Sequence, residues 1–346
     1  MKRTTIGLDL AKRVFQVHSV DPDTGEIFRQ TLKRSQVLRY FANRAVSVVA
    51  MEACGSAQYW ARELVKLGHE VRLISAQFVR PFVKTNKTDA ADAEAIWEAA
   101  QRPGMRFVAL KSEEQQAVLG LHRIREQRVG MRSALVNQLH GLMAEFGIAL
   151  SQGWREMLHQ AGELLAEECA VPELLRGALR EQIEQIRALN EQIKTLERQI
   201  SCWQRRAEAC QRIGEIPGVG LLTATAAVAM IGDARSFRSG REFAAFVGLV
   251  PRQSGTGGKI KLLGISKRGD RYLRTLLIHG ARAVLRWQSR PGRELDPWLK
   301  SLLSRRARNV VIVALANKMA RMIWALLAHG RTYQRGYGGP MTATVA

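Results

Sequence analysis

Acidic residues are scarce in this chain: 31 Asp and Glu face 53 Lys and Arg, a formal net charge of +22 over 346 residues. That imbalance favours a polyanionic partner through counterion release and long-range steering, with nucleic acid first and an anionic membrane surface second. Cysteine is scarcer still. The four cysteines, at positions 54, 169, 202 and 210, form no CxxC pair and have no His at zinc-finger spacing, which excludes a disulfide framework and a structural zinc site. A reducing cytoplasm is the expected compartment. Aromatic residues make up 6% of the chain, too few for the stacking motifs of an RNA-recognition sheet. Long uncharged apolar runs are missing too: none approaches the ~18 residues of a membrane span, and MKRTTIGLDLAKRV has no apolar signal-peptide core. A soluble, cytoplasmic protein with no membrane partner is expected.

What is present suffices to fold. With 46% hydrophobic and 24% charged residues, the chain has material for the cores of two or three domains. The basic excess is concentrated: from Arg235 onward, 22 Lys and Arg stand against four acidic residues, a local +18. The C-terminal third is the main electrostatic footprint.

Along the first hundred residues, TTIGLDL, RVFQVHSVD and EIFRQTL read as three antiparallel strands joined by short turns. A helix over SQVLRYFANR, a strand SVVAMEA, an amphipathic helix QYWARELVKLG, a strand EVRLISA and a helix over KTDAADAEAI follow. The order βββ-αβ-αβ-α is that of an RNase H-like domain. Thr88 or Asp89 is placed to cap the last helix. Residues 111 to 168 read as helical. From 175 to 203, Leu179, Ile186, Ile193 and Ile200 repeat every seven residues beside Leu175, Gln182, Leu189, Leu196 and Trp203. An a/d seam of this kind predicts a two-stranded parallel coiled coil, and its plainer alternative is one amphipathic helix packed in its own domain. From Arg212 onward, helix signals alternate with glycine-rich loops, and the last ten or so residues are expected to fray. The fold class is therefore α/β plus α. The expected divisions are an RNase H-like domain with a helical extension over 1–165, a coiled-coil dimerisation segment over 166–210 and a mostly helical C-terminal domain over 211–340.

Four carboxylates stand out. Asp9 lies inside an apolar strand and Glu52 ends another, where an unpaired charge is costly. Asp89 and Asp92 sit three positions apart, on one face of a helix. The βββ-αβ-αβ-α order brings all four to one end of a single sheet. Clustered acids in a basic protein call for divalent cations, and two Mg²⁺ ions about 3.5–4 Å apart suit the in-line displacement of a phosphodiester. Alone, Asp89 and Asp92 could be mere dipole complements at a helix start.

Two loops and a basic stretch complete the candidates. IPGVG, with Gly218 and Gly220, resembles the hairpin of a helix-hairpin-helix element whose backbone N–H groups cradle phosphate, or is a plain turn. PRQSGTGGKIK holds Ser254 among Arg252, Lys259 and Lys261; by spacing alone the serine is better read as a turn residue that bonds phosphate than as a nucleophile. KRGDRYLRTLLIHGARAVLR contributes Lys267, Arg268, Arg271 and Arg274 as phosphate contacts. The seven histidines are scattered, and no Ser/His/Asp triad assembles from them.

IGLDLAK, VAMEACGS, KTDAADAEAI, IPGVG, GLVPRQSGTGGK and GISKRGDRYLRTLL, in this order, resemble the DEDD-type insertion-sequence transposases of the IS one-ten and one-eleven-eleven group, related to Piv-type DNA invertases. The likeness covers nearly the whole chain. It implies a RuvC-like domain whose metal-binding tetrad is Asp9, Glu52, Asp89 and Asp92, and a central coiled coil that dimerises. It further implies a C-terminal domain in which Ser254 attacks DNA to form a covalent phosphoserine. The family resemblance also implies donor and target DNA as substrates and an element-encoded non-coding RNA as guide. A tetrameric synaptic assembly is implied as well, its sites combining acids of one subunit with the serine of another. Asp270 stands where the family often has Asn. Two other readings remain: a Mg²⁺-dependent Holliday-junction or structure-selective nuclease that uses water and no serine, and a DNA-architectural protein whose four acids are structural.

Overall fold

The computed structural model describes residues 3–84, 88–166 and 170–334; Lys87, Cys169 and the C-terminal residues expected to fray lie outside these ranges. Two compact units emerge, Met1–Ser112 and Glu113–Ala346.

In the first unit, three β-prone runs form the expected meander: β1 (Thr5–Leu10), β2 (Val14–Val20) and β3 (Ile27–Lys33). Helix α1 (Val37–Ala42) leads to β4 (Val48–Glu52), α2 (Ala57–Lys66) to β5 (Glu70–Ile74), and the short turn α3 (Ala76–Val79) precedes α4 (Asp89–Ala100) and the two-residue β6 (Phe107–Val108). The six-stranded sheet has the order β3-β2-β1-β4-β5-β6. β2 runs antiparallel to β1 and β3, whereas β4 is parallel to β1 and β5 parallel to β4. The period-2 alternation of a strand separates two cores. Ile6, Leu8, Phe15, Val17, Val49 and Met51 meet Phe41 of α1 and Trp60, Ala61 and Leu64 of α2 on one face. Ala50 and Ile74 meet Ala95, Ile96 and Ala99 of α4 on the other.

The second unit opens with α5 (Glu113–Ala144), α6 (Trp154–Ala166) and α7 (Glu173–Arg206). These three share a core built from Leu139 and Met143, Met157 and Ala161, and Leu179, Ile183 and Ile186, so α5 and α6 group with α7. The heptad seam of α7 is buried within the chain, against α5. Gln182 Nε2 donates to the Leu135 carbonyl at 2.8 Å, Arg132 to Asn190 Oδ1 at 3.0 Å and Arg125 to Glu197 at 2.8 Å. Rising numbers on α7 meet falling numbers on α5, so the two helices run antiparallel. The reason lies in the stripe's width: Ile183 and Asn190, the residues after Gln182 and Leu189, are buried along with Leu179, Gln182, Ile186, Ile193, Leu196 and Ile200. A stripe three residues wide per heptad suits packing in a globular core, where a coiled-coil seam needs only two.

There follow α8 (Glu208–Gly214), α9 (Leu221–Ile231), α10 (Gly240–Phe246), the strands β7 (Pro251–Thr256) and β8 (Lys259–Ile265), α11 (Arg271–Gln288), α12 (Pro297–Leu303) and α13 (Arg308–His329). Ile213, Ala224, Phe243, Leu277, Ala281 and Met319 lie at the heart of their shared core. By length and composition α13 could cross a membrane, yet Lys318 and Arg321 interrupt it and its Val311–Leu315–Met319–Ile323 stripe is buried in that core. The glycine-rich segment expected as a loop is instead an antiparallel hairpin, β7–β8. Gly257 and Gly258, with φ of +57° and +79°, supply the two-residue turn that such a hairpin requires.

Candidate active site and nucleic-acid interface

Register places the acids. β1 and β4 pair in parallel with Leu8 opposite Met51, so Asp9 and Glu52 come next, side by side, at the carboxyl ends of adjacent strands. Both point away from the Leu8–Met51 face and toward the side covered by α4. Gly7 decides how closely α4 approaches: a Cβ at this position would run into the Ala93 carbonyl oxygen and come within 2.8 Å of the Trp97 Cβ. Only a glycine lets the helix lie this low on the strand. The Thr88 hydroxyl accepts from Ala91 N at 3.2 Å and caps the helix, and Asp89 and Asp92 fall in its first turn.

One carboxylate oxygen from each of Asp9, Asp89 and Asp92 lies within 4.8 Å of the others. The Glu52 carboxylate lies outside this triad, although its charge acts on Asp9. Burial, then repulsion by Asp92, Asp89 and Glu52, pushes the Asp9 carboxyl up to about 6, against a smaller opposing pull from its Leu10 backbone hydrogen bond. No described cation pairs with any of the four. Lys84, which the sequence sets just before Asp89, bonds Glu98 at 2.9 Å instead. Cys54, just beyond Glu52, has its thiol raised by burial first and then by Glu52 and, less, Asp9. Three oxygen donors within one cation's reach, with no basic side chain among the described residues to relieve them, fit a hard divalent ion. Sequence reading passed over Gly7; a glycine in the middle of an otherwise apolar strand was the available signal.

Ser254 lies on β7, exposed, and pairs across the ladder with Lys261. Arg252 and Lys259 are exposed on the same hairpin, as are the apolar residues Ile260 (70%) and Leu262 (63%). Lys267, Arg268 and Arg271 are exposed around the start of α11. Arg274 is different: it is buried, and its guanidinium donates to the carbonyls of Val247 (2.9 Å), Arg268 (3.0 Å) and Asp270 (3.4 Å). Those bonds tie the residue before the hairpin to the residues after it, so Arg274 is committed to backbone rather than presented to phosphate. Asp270 caps α11 by accepting from Leu273 N at 2.7 Å. Gly218 sits in the turn between α8 and α9, where a Cβ would come within 2.8 Å of the Gly280 carbonyl of α11, so helix packing by itself demands glycine there. Gly220 is exposed and precedes the first residue of α9.

Residues 6–148 match the DEDD transposase family DEDD_Tnp_IS110, and residues 210–313 match the family described as Transposase IS116/IS110/IS902. A probable family 20 transposase of Pseudomonas aeruginosa is 52% identical over 97% of this chain and 100% of its own length. The chain belongs to the DEDD-type transposases of the IS110 and IS1111 insertion sequences. The transposase of the IS1111A element of Coxiella burnetii is 43% identical, over 96% of this chain and 91% of its own length. A more distant likeness, 21% over 97% of this chain and 99% of the other, is to the pilin gene-inverting protein of Moraxella lacunata. Transposases of this family cleave DNA and transfer strands, so the acid-lined edge of the sheet and the basic C-terminal helices belong to a DNA-recombining enzyme.

Proposed function

We propose that this transposase cuts and rejoins DNA with a metal-bound acidic tetrad, Asp9, Glu52, Asp89 and Asp92, and a serine nucleophile, Ser254. The observation that carries the reading is the triad of Asp9, Asp89 and Asp92, whose oxygens lie within 4.8 Å of one another, with no ion pair to a basic side chain among the described residues. Asp9, Asp89 and Asp92 would hold Mg²⁺, with Glu52 completing the set from the neighbouring strand. The bound ions supply Lewis-acid stabilisation of charge on the scissile phosphate. Ser254 Oγ attacks phosphorus, its proton leaves to solvent, and the P–O bond to the departing 3′ or 5′ oxygen breaks. The phosphoserine link conserves the energy of the broken bond for rejoining. Lys261, opposite the serine, and Arg252 place positive charge where the phosphoryl oxygens become more negative.

The substrates are donor and target DNA held by Gly220, Lys259, Lys267, Arg268 and Arg271. An element-encoded guide RNA chooses the site, and the working form is a homo-oligomer, a tetramer in synapsis. The compartment is the cytoplasm. Asp9→Asn combined with Asp92→Asn abolishes Mg²⁺ binding by calorimetry and all strand cleavage while DNA affinity is kept. Unaltered cleavage by that double variant would contradict the metal-site assignment, and absence of cleavage in the wild type as well would favour the architectural reading. Guide dependence is tested by sequencing RNA that co-purifies with the protein: a species pairing with the element's ends supports it, and random cellular RNA contradicts it.

A further inference from the structure

The N-terminal unit carries a basic groove that the C-terminal charge excess does not foreshadow. It is an open depression of about 750 Å³ lined by Lys12 and Arg13 from the β1–β2 turn, Lys33 and Arg34 after β3, and Tyr59 and Trp60 on α2. All four cations are exposed, and none has a carboxylate partner among the described residues. In the same unit Arg3, Arg29, Arg72 and Arg102 are each paired with a glutamate. Lys12, Arg13, Lys33 and Arg34 thus gather four unpaired positive charges around one groove.

The aromatic side is equally specific. Tyr59 is 43% exposed at the groove. Trp60 is buried, the Arg34 guanidinium lies 5.1 Å from the centre of its ring, and Tyr59 meets it edge-on at 5.2 Å. The Trp60 indole N–H is buried without an acceptor. Cations that track a backbone and a planar ring open for stacking are what a single nucleic-acid strand uses. A double helix would need a broader surface, and its bases are not open to stacking.

The groove's position identifies the strand. The β1–β2 turn begins two residues after Asp9, and Tyr59 follows Glu52 by seven residues at the start of α2. The acids and the groove thus occupy the same carboxyl edge of the sheet, the acids on the α4 side and the groove on the α2 side.

We propose that this groove binds one strand of DNA as a single strand, the continuation over the sheet edge of the strand whose phosphate meets the acids. Lys12, Arg13, Lys33 and Arg34 contact successive phosphates, and a base stacks on Tyr59. The assignment of that strand rests on the acidic residues being the cleavage centre, but binding in the groove needs neither metal nor serine.

The test uses the full-length protein carrying Asp9→Asn, without divalent metal, so that the outcome does not depend on the chemistry. Its affinity for a single-stranded DNA oligonucleotide is measured against salt by fluorescence anisotropy. The comparison is between Lys12→Ala/Arg13→Ala/Lys33→Ala and a charge-matched triple variant on the same unit, Arg39→Ala/Lys66→Ala/Arg102→Ala. The groove variant lowers the slope of log affinity against log salt by roughly 2, at about 0.7 for each phosphate no longer neutralised, and the control triple changes it far less. In parallel, DNA containing 5-iodouracil is photocrosslinked and digested; the adduct is expected on the peptide with Tyr59, and Tyr59→Ala removes it with no change in thermal midpoint. Equal slopes for the two triple variants, or adducts found only elsewhere, would overturn the proposal. So would crosslinking of single-stranded RNA in place of DNA. Because all arms lack metal and Asp9, loss of cleavage through failure of the acid assignment cannot be mistaken for any of these outcomes.

Discussion

Gly7 on β1 lies against the Ala93 carbonyl of α4, so closely that a Cβ cannot be placed between strand and helix without moving one of them. This contact sets the height of Asp89 and Asp92 over Asp9. Gly7→Ala pushes α4 outward and costs about 1–3 kcal/mol, the usual range for overpacking. Loss of Mg²⁺ affinity accompanies the loss of stability, and calorimetry with thermal melting checks both. A variant that keeps full metal affinity would show that the helix position is not set here.

Asp9 supplies a second prediction with two opposite signs. Its carboxyl is raised to about 6 by burial and by Asp92, Asp89 and Glu52, so the metal-free fold holds a proton that the unfolded chain has already released. Its contribution is therefore complete below the ordinary value of 3.8 and declines as pH rises through about 6. At pH 7 without metal, Asp9→Asn stabilises the N-terminal unit by on the order of 1–2 kcal/mol, allowing for partial solvent screening. With saturating Mg²⁺ the order reverses, because only the wild type gains binding energy. Melting curves with and without Mg²⁺ read both halves.

His122 on α5 gives a pH response of the opposite sense in the other unit. It is buried between the Tyr272 hydroxyl and the Thr225 hydroxyl, each at 3.0 Å. The Thr225 hydroxyl itself donates to the Leu221 carbonyl at 2.7 Å, so it accepts from His122 Nε2–H, and Nδ1 accepts from Tyr272. Burial, then Arg125, pushes the imidazole down to about 4 from its ordinary 6.5. Between those values the unfolded chain takes up a proton that the fold refuses, so stability is complete above about 6.5 and falls as pH drops toward 4. About 3 kcal/mol is lost over that window. His122→Gln flattens the dependence of the midpoint on pH; an unchanged slope would place the titration elsewhere.

Asp270 answers its departure from the family's usual Asn in simple terms. Its Oδ1 caps α11 through Leu273 N, and an Asn side chain offers the same oxygen. Asp270→Asn is expected to leave stability within about 0.5 kcal/mol, whereas Asp270→Ala costs about 1 kcal/mol. Chemical denaturation distinguishes them.

Much of the N-terminal unit was legible because its cues are local. Alternation in IGLDL and VVAME, the turn in DPDTG and the cap at Thr88 each act within a few residues, and the resulting topology brings Asp9, Asp89 and Asp92 together. Glu52 followed from strand register but falls outside the triad, since register fixes a residue's place and not the reach of its side chain. The seam of α7 was legible as a stripe and not as a partner: a heptad pattern does not say which helix fills it, and Ile183 and Asn190 were the signs of a wider, intrachain face. Arg274 was counted among basic surface residues because charge is visible in sequence, while the three carbonyls it binds come from separate turns. The β7–β8 hairpin was missed because glycines that build a tight turn look the same as glycines that loosen a loop.

The central claim is that Ser254 is the nucleophile, and trapping its covalent intermediate tests it most directly. A labelled DNA substrate carrying the element's end, nicked beside the scissile phosphate, is incubated with the protein, the RNA encoded at the element's flank and Mg²⁺, then denatured and resolved by electrophoresis. The account predicts a Mg²⁺-dependent protein–DNA adduct whose digestion yields phosphoserine at position 254, lost in Ser254→Ala while DNA binding persists. Strand transfer or an adduct of undiminished yield from Ser254→Ala would contradict it.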